Sequence, residues 1–209
     1  MKAKLETYIV KKGNGIGVFV DFPITAKELR DKFEKINIKK DDWRIIAVKT
    51  GDENFGTAVM HCRDLDELNF LGYWISQLDS AEYSLFFEYA AAGCADGTTI
   101  YDYINLAANF KSCYRVDNIQ NELELGQWRV SQYEKEVGHP LPTLWEAEKE
   151  DFENLGYAFA ANFHGRFYKG NYYARFSTWS DVYNGEPETI PKDYCLTDPL
   201  RVIREKTRL

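Results

Sequence analysis

The chain has 209 residues, of which 44% are apolar and 15% aromatic, and its formal net charge is −7. A chain of this size can bury a core in one to three small domains without metals or disulfides. The start MKAKLETYIVKKGNG has no long apolar run, and no stretch approaches the roughly 20 apolar residues that cross a bilayer. The sequence therefore predicts no signal peptide, no membrane span and a cytoplasmic location.

The charge is segregated along the chain. Residues 64–153 contain 18 acidic and 5 basic side chains, whereas residues 1–63 are net +4 and residues 154–209 are net +2. A surface of one sign attracts partners of the opposite sign, so we predict a partner with a cationic groove, although acidic helix faces are also common without any binding role. The candidate partner-binding acids are Asp64, Asp66, Glu67, Asp79, Glu82, Glu88, Asp96, Asp102, Asp117, Glu122, Glu124, Glu134, Glu136, Glu146, Glu148, Glu150, Asp151 and Glu153.

Residues 1–63 predict a small antiparallel sheet with one helix. ETYIVKK and IGVFVDF flank Gly13-Asn14-Gly15, a combination typical of a tight hairpin turn. Thr25 and Glu28 form a capping-box pattern that begins a helix of about three turns. The β-branched segment WRIIAVKT, residues 43–50, predicts a third strand that ends at Gly51-Asp52.

Residues 64–113 predict a bundle of three short helices. The first buries a stripe made of Leu65, Leu68, Leu71, Trp74, Ile75 and Leu78, which leaves the neighbouring acids Asp64, Asp66, Glu67 and Asp79 outside the stripe and exposed. The second helix runs from Ala81 to Ala92 and ends at Gly93. Thr98 or Thr99 caps the third helix, which continues through Ala107.

Residues 114–209 predict a C-terminal α+β domain with a basic tail. One helix runs from about Asn121 to Val137, and a capping-box pattern at Thr143 and Glu146 begins another that is rich in acids. Beyond Gly156 the alternating segments YAFAANF and RFYKGNYYARF predict short strands. From about Ser177 we expect an irregular arm that wraps the surface or frays. The fold class predicted is an elongated, multi-domain α+β chain.

The cysteines and histidines do not form a recognisable site. No CxxC pair or i, i+4 histidine pair is present, which disfavours a metal site and a disulfide framework. We predict no metal and no cofactor. These residues are Cys62, Cys94, Cys113, Cys195, His61, His139 and His164.

The sequence also disfavours an enzyme. It has no GxxxxGK[ST], HExxH or GxSxG motif, and GNGIG at 13–17 joins two predicted strands instead of a strand and a helix. A pair of acids such as Asp41-Asp42 occurs in any acidic protein and has little diagnostic value.

Direct nucleic-acid binding is a third hypothesis, which two small basic clusters favour. Residues 64–153 would repel phosphate, and lysines on an amphipathic helix are usually a solvated face. We therefore predict no direct contact with nucleic acid. The basic clusters are Lys27, Lys32, Lys35, Lys39 and Lys40, and Arg201, Arg204, Lys206 and Arg208.

The order of several motifs between Tyr8 and Phe176 resembles the ArdA antirestriction family. After the hairpin and helix come DELNFLGYWISQL, INLAANFKSCY, ELGQWRVSQYEKEVG, LPTLWEAEKEDFENLGYAF and GRFYKGNYYARF. The sequence departs from the family pattern in its smaller net charge, in Ala158 at a position that is often acidic, and in the segment after Phe176.

This resemblance implies a function. ArdA proteins are DNA mimics carried on mobile genetic elements such as conjugative transposons, and they are usually dimers whose acidic surface occupies the DNA groove of type I restriction-modification enzymes. The resemblance therefore implies a homodimer that inhibits such an enzyme. The alternative is a non-enzymatic protein-binding module of a mobile element that does not mimic DNA.

Overall fold

A computed structural model describes residues 3–13, 15–39, 42–50, 52–95, 97, 99–140 and 148–196. Within these ranges the chain has the predicted α+β fold, with seven helices and two three-stranded antiparallel sheets. None of these helices has the length and apolar character needed to cross a membrane. The predictions that lie outside the described residues concern Asn14, Lys40, Asp41, Gly51, Asp96, Thr98, Thr143, Glu146 and the basic tail 201–209.

The described residues group into two compact units. The first unit contains the described residues within 1–87, 95–108 and 181–209. The second unit contains the described residues within 88–94 and 109–180. The three segments predicted from the sequence, 1–63, 64–113 and 114–209, stay a prediction.

The first unit begins with the predicted hairpin and third strand. Strands β1 (Leu5–Lys11), β2 (Gly17–Phe22) and β3 (Trp43–Val48) form an antiparallel sheet in the order β2-β1-β3. The β-branched and aromatic side chains alternate as strands require, because successive residues point to opposite faces. The inner face is fully buried at Leu5 and Ile9.

Helices α1 (Ala26–Lys35) and α2 (Glu53–His61) are both fixed by their N-caps. The capping box at Thr25 and Glu28 is present, as predicted. Helix α2 was not predicted, because ENFGTAVMH contains several weak helix formers. Asp52 starts it instead, since its carboxylate accepts a hydrogen bond from the amide of Phe55 at 2.7 Å.

Helices α3 (Leu65–Ile75), α4 (Ser80–Ala91) and α5 (Ile100–Ala108) confirm the three helices predicted after residue 63. Four residues of the predicted stripe, Leu68, Leu71, Ile75 and Leu78, are buried, whereas Leu65 and Trp74 are half-buried. Gly72 allows α3 to lie directly against the end of β2, because a Cβ at this position would collide with Phe22.

Residues 181–196, which we call the strap, return to the first unit. They contain two 3₁₀ turns, Pro187–Thr189 and Lys192–Tyr194, and they bury Tyr183 and Ile190. Of the two outcomes predicted for the arm, wrapping and fraying, the structure shows wrapping over this range.

The second unit combines a helix pair with a sheet. Strands β4 (Cys113–Val116), β5 (Arg166–Tyr168) and β6 (Asn171–Arg175) form an antiparallel sheet in the order β4-β6-β5. Helices α6 (Glu122–Val137) and α7 (Lys149–Asn162) pack on it. Strand β4 was not predicted, whereas α6 and the β5–β6 hairpin were. The core contains Ile119, Leu125, Tyr172 and Ala174.

The prediction of strands directly after Gly156 was wrong. Helix α7 continues to Asn162, although YAFAANF alternates with the period of a strand. Phe159 and Phe163 are four residues apart, so both reach the core around Tyr172 from one helix face. The burial of this helix face therefore outweighs the alternating pattern of YAFAANF, which by itself favours a strand.

Candidate functional site

Most of the candidate acids lie at helix N-termini, where the first backbone amides lack partners within the helix. At α3, Asp64 accepts hydrogen bonds from the amides of Asp66 at 2.7 Å and Glu67 at 3.2 Å. At α4, Asp79 accepts from the amide of Glu82 at 2.9 Å, and Glu82 accepts from the amide of Asp79 at 2.8 Å. Capping therefore fixes these carboxylates in position.

The same arrangement recurs at the later helices. At α5, Asp102 accepts from the amide of Thr99 at 2.9 Å. At α6, Glu124 accepts from the amide of Gln120 at 2.7 Å. A capping box at the start of α7 joins Glu148 and Asp151.

The largest group of exposed acids lies on α6 and α7. We call α6 together with residues 148–162 the acidic helix pair, which contains 8 acids and 3 bases. Arg129 and Lys149 form ion pairs within it, with Glu136 at 3.5 Å and Glu153 at 3.1 Å. The exposed acids are Glu136, Glu148, Glu150 and Asp151, and the half-buried ones are Glu122, Glu124, Glu134 and Glu153.

Two glycines bring these helices into backbone contact. A Cβ at Gly126 would overlap the carbonyl oxygen of Phe152, and a Cβ at Gly156 would overlap that of Glu122. Residue 122 thus faces 156 while 126 faces 152, so the helices are antiparallel. Glu122 and Glu153 line the same shallow cleft of about 410 Å³.

The acids of α7 lie beside the part of α6 that has no acidic residues. Helix α6 has acids near its start and near its end, but none from residue 125 to residue 133. Because of the antiparallel register, residues 148–153 of α7 lie beside this acid-free part. Along their common axis the two helices together therefore distribute carboxylates more evenly than either does alone.

The acids at the start of α3 differ from that pattern, and the prediction that they are exposed was wrong: Asp66 is buried, and Asp64 and Glu67 are half-buried. Asp66 is 7% exposed, and it accepts a hydrogen bond from the amide of Leu196 at 2.6 Å. Glu67 accepts from the hydroxyl of Tyr183 at 2.6 Å and from the thiol of Cys62 at 3.5 Å. The strap covers this side of α3, and the helical period of residues 64–78 gives no sign of it.

Glu88 and Asp117 share one cation in the second unit. Arg115 lies 2.7 Å from a carboxylate oxygen of each. The hydroxyl of Tyr173 also donates to Glu88, at 3.1 Å. This network neutralises part of the charge that the sequence counts at these positions.

The thiols form no second candidate site. Cys62, Cys94 and Cys113 are buried, and burial raises the pKa of the Cys62 and Cys113 thiols well above the ordinary value. The Cys62 and Cys113 thiols are therefore poor nucleophiles at neutral pH. Among the described residues no group of three His, Cys, Asp or Glu side chains is placed to hold a metal ion.

The half-buried position of Glu67 predicts an unusual pH dependence. Burial raises its pKa above the ordinary value of 4.5, against the lowering effect of the Tyr183 hydroxyl. A carboxyl whose pKa is raised by folding stabilises the folded state only while it is protonated, so the contribution of Glu67 to stability decreases as pH rises above 4.5 and through the raised pKa of the folded state. Relative to Glu67→Gln, whose amide oxygen can still accept from Tyr183, the unmodified protein is expected to lose stability over this range. Urea unfolding at several pH values measures the difference, and a difference that grows with pH in favour of Glu67 contradicts the prediction.

Comparison with protein families and with curated proteins gives no match. No protein-family model matches the chain, and no curated protein matches it at a significant level. The resemblance to the ArdA family therefore stays a prediction.

Proposed function

We propose that this protein is a non-enzymatic DNA mimic of the antirestriction type, which acts in the cytoplasm as a homodimer and occupies the DNA-binding groove of a type I restriction-modification enzyme. The observation that supports it most directly is the concentration of carboxylates on the acidic helix pair. The order of motifs that resembles ArdA supports the class of target.

Pairing the two helices shifts the charge spacing toward that of DNA. Duplex DNA presents one charge per about 1.7 Å of its axis. A helix rises about 1.5 Å per residue, so the 16 residues of α6 span about 24 Å. Along this length the antiparallel pair carries eight acids and three bases, so one net negative charge falls about every 5 Å, whereas α6 alone, with four acids and two bases, has one about every 12 Å. Pairing the helices thus brings the spacing closer to the DNA value.

Inhibition would need no chemical step. The protein would compete with duplex DNA for a basic groove, and counterions released from both surfaces would favour association. Carboxylates that already cap helices lose little freedom on binding, which lowers the entropic cost of association.

Reversing charges on the acidic helix pair tests the proposal. We expect the triple variant Glu122→Lys, Glu136→Lys, Glu150→Lys to bind a purified type I methyltransferase core at least about tenfold more weakly, since like charges would then face the groove. The control Asp31→Lys, Glu34→Lys, Glu53→Lys makes the same change in net charge at exposed helix positions of the first unit. It is expected to retain most of the affinity.

The measurement is competition with labelled duplex DNA across a salt series. Binding of the unmodified protein should weaken steeply as salt increases. Equal affinities of both triple variants, or a flat salt dependence, would contradict DNA mimicry. Binding that duplex DNA does not displace would favour the protein-binding module.

A further inference from the structure

The outer face of the first sheet displays two aromatic rings. Tyr8 and Phe19 are neighbours on β1 and β2, with ring centroids 4.7 Å apart. Phe19 is 70% exposed. Gly17 leaves room for the ring of Tyr8, because a Cβ there would lie 2.7 Å from Tyr8 Cζ. We call Tyr8 and Phe19 the aromatic platform.

Phe19 packs against Tyr8 but stays largely outside the core. The core of this sheet lies on the opposite face, where Leu5, Ile9 and Val20 are fully buried. Ile46, the extra residue at the irregularity between β1 and β3, is 45% exposed as well. Exposed apolar groups that form a patch mark binding surfaces more often than isolated ones do.

Cations surround the platform. The ammonium of Lys32 donates to the backbone carbonyl of Phe19 at 2.9 Å, which places a positive charge beside the more exposed ring. Lys4 and Lys49 are 61% and 76% exposed at their side chains. Arg44 lies opposite Val10 on β3 and is also exposed.

The acids of this region are fewer than the cations. Glu6 and Asp21 are adjacent on β1 and β2. Each forms an ion pair, Glu6 with Lys49 at 2.8 Å and Asp21 with Lys4 at 3.7 Å. Lys32 on α1 is accompanied by Glu28, four residues away. With Lys32, Glu28 and Arg44 added, four cations stand against three acids, so the local charge is positive although the whole chain is negative.

We propose that the aromatic platform binds single-stranded nucleic acid. Unpaired bases would stack on Phe19 and Tyr8, and the phosphates would meet the surrounding lysines and Arg44. Open antiparallel sheets with exposed aromatic rings bind single strands in this way, since every base has a face that can stack. A duplex hides those faces and is expected to bind more weakly.

This inference goes beyond the proposed function, because it concerns another surface and the opposite charge. The sequence argument against nucleic acid rests on repulsion by residues 64–153. Sheet β2-β1-β3 belongs to residues 1–63, which are net +4. A protein partner is less consistent with this face, since lysine is depleted from the centres of protein interfaces.

The proposal is tested by fluorescence anisotropy with the full-length protein and a labelled oligothymidylate. An oligonucleotide of about 15 nucleotides lies within the range that one such surface covers. We expect saturable binding that weakens with salt and exceeds binding to a duplex of equal length. Phe19→Ala should weaken it at least about fivefold, the loss expected when one stacking ring is removed. Phe19→Trp should retain it, and bound nucleic acid should quench the new indole fluorescence.

Tyr157→Ala is the matched control, since Tyr157 is 68% exposed but lies on α7 among acids. It should leave the affinity unchanged. Absence of binding to the unmodified protein, or equal affinities for Phe19→Ala and Tyr157→Ala, would overturn the proposal. Loss of self-association in sedimentation by Phe19→Ala, without any nucleic-acid binding, would show instead that this face joins two copies. The charge-reversal experiment tests the acidic helix pair, which is a different surface. DNA mimicry and single-strand binding can therefore be contradicted independently.

Discussion

Gly156→Ala is expected to destabilise the protein by about 3 kcal/mol, at the upper end of the range for overpacked sites. The added methyl group would overlap the carbonyl oxygen of Glu122 and crowd the amide nitrogen of Gly126. Both obstacles are backbone, so α6 and α7 must move apart instead of adjusting a side chain. Their separation would also weaken the contacts that both helices make with the core around Tyr172.

The sign of this effect is informative, because replacing glycine by alanine inside a helix normally stabilises it by about 0.5–1 kcal/mol. Gly56→Ala in α2 is the control. Its Cβ would approach only the methyl group of Thr50, at 3.1 Å, which can shift. We expect the stability of this variant to range from unchanged to about 1 kcal/mol higher.

Urea unfolding of both variants measures the two changes in stability. If the Gly156→Ala protein is as stable as the Gly56→Ala protein, helices α6 and α7 are not in backbone contact.

Local sequence signals predicted the helices whose ends carry strong capping residues. The capping box of α1 and the N-cap of α6 at Asn121 depend on residues within one turn, so their hydrogen bonds can be anticipated from spacing alone. Gly138, which ends α6 in a left-handed conformation, is equally local.

Contacts between distant residues decided the features that the sequence left open. Residues 157–162 alternate like a strand, yet they are helical because Gly156 meets α6 and Phe159 reaches the core. Strand β4 is short, and it is identified mainly by its pairing with β6, whose residues come about 60 positions later. No signal within Cys113–Val116 alone predicts that pairing.

The acidic surface was predicted only as a set of residues. Sequence counts treat Asp66 and Glu150 alike, but the strap buries Asp66 whereas Glu150 is exposed. The complementary placement of acids on α6 and α7 depends on the contacts of Gly126 and Gly156. That pattern could have been suspected from two glycines within acid-rich helices, since glycine in a helix interior is costly without a packing reason.

The strap is held to the first unit through buried polar side chains, chiefly Asn105. This residue is 2% exposed, and its side-chain oxygen accepts from the amides of Val182 at 2.8 Å and Tyr183 at 3.1 Å. Its side-chain nitrogen donates to the carbonyl of Tyr183 at 2.8 Å. One amide group therefore satisfies three backbone groups of a segment that has no strand partner.

Asn105→Ala is accordingly expected to lower the free energy of unfolding by about 3 kcal/mol, because each buried group left without a partner costs about 1–3 kcal/mol and water can reach only some of them. Hydrogen exchange at the Tyr183 amide should accelerate more than exchange at Ile9 in β1, since the strap can open without unfolding the sheet. Asn154→Ala, at an exposed position of α7, is the matched control and should change stability by less than about 0.5 kcal/mol. If the two variants have the same stability and the Tyr183 amide stays protected in both, the strap is held by its buried rings, Tyr183 and Ile190, and not by Asn105.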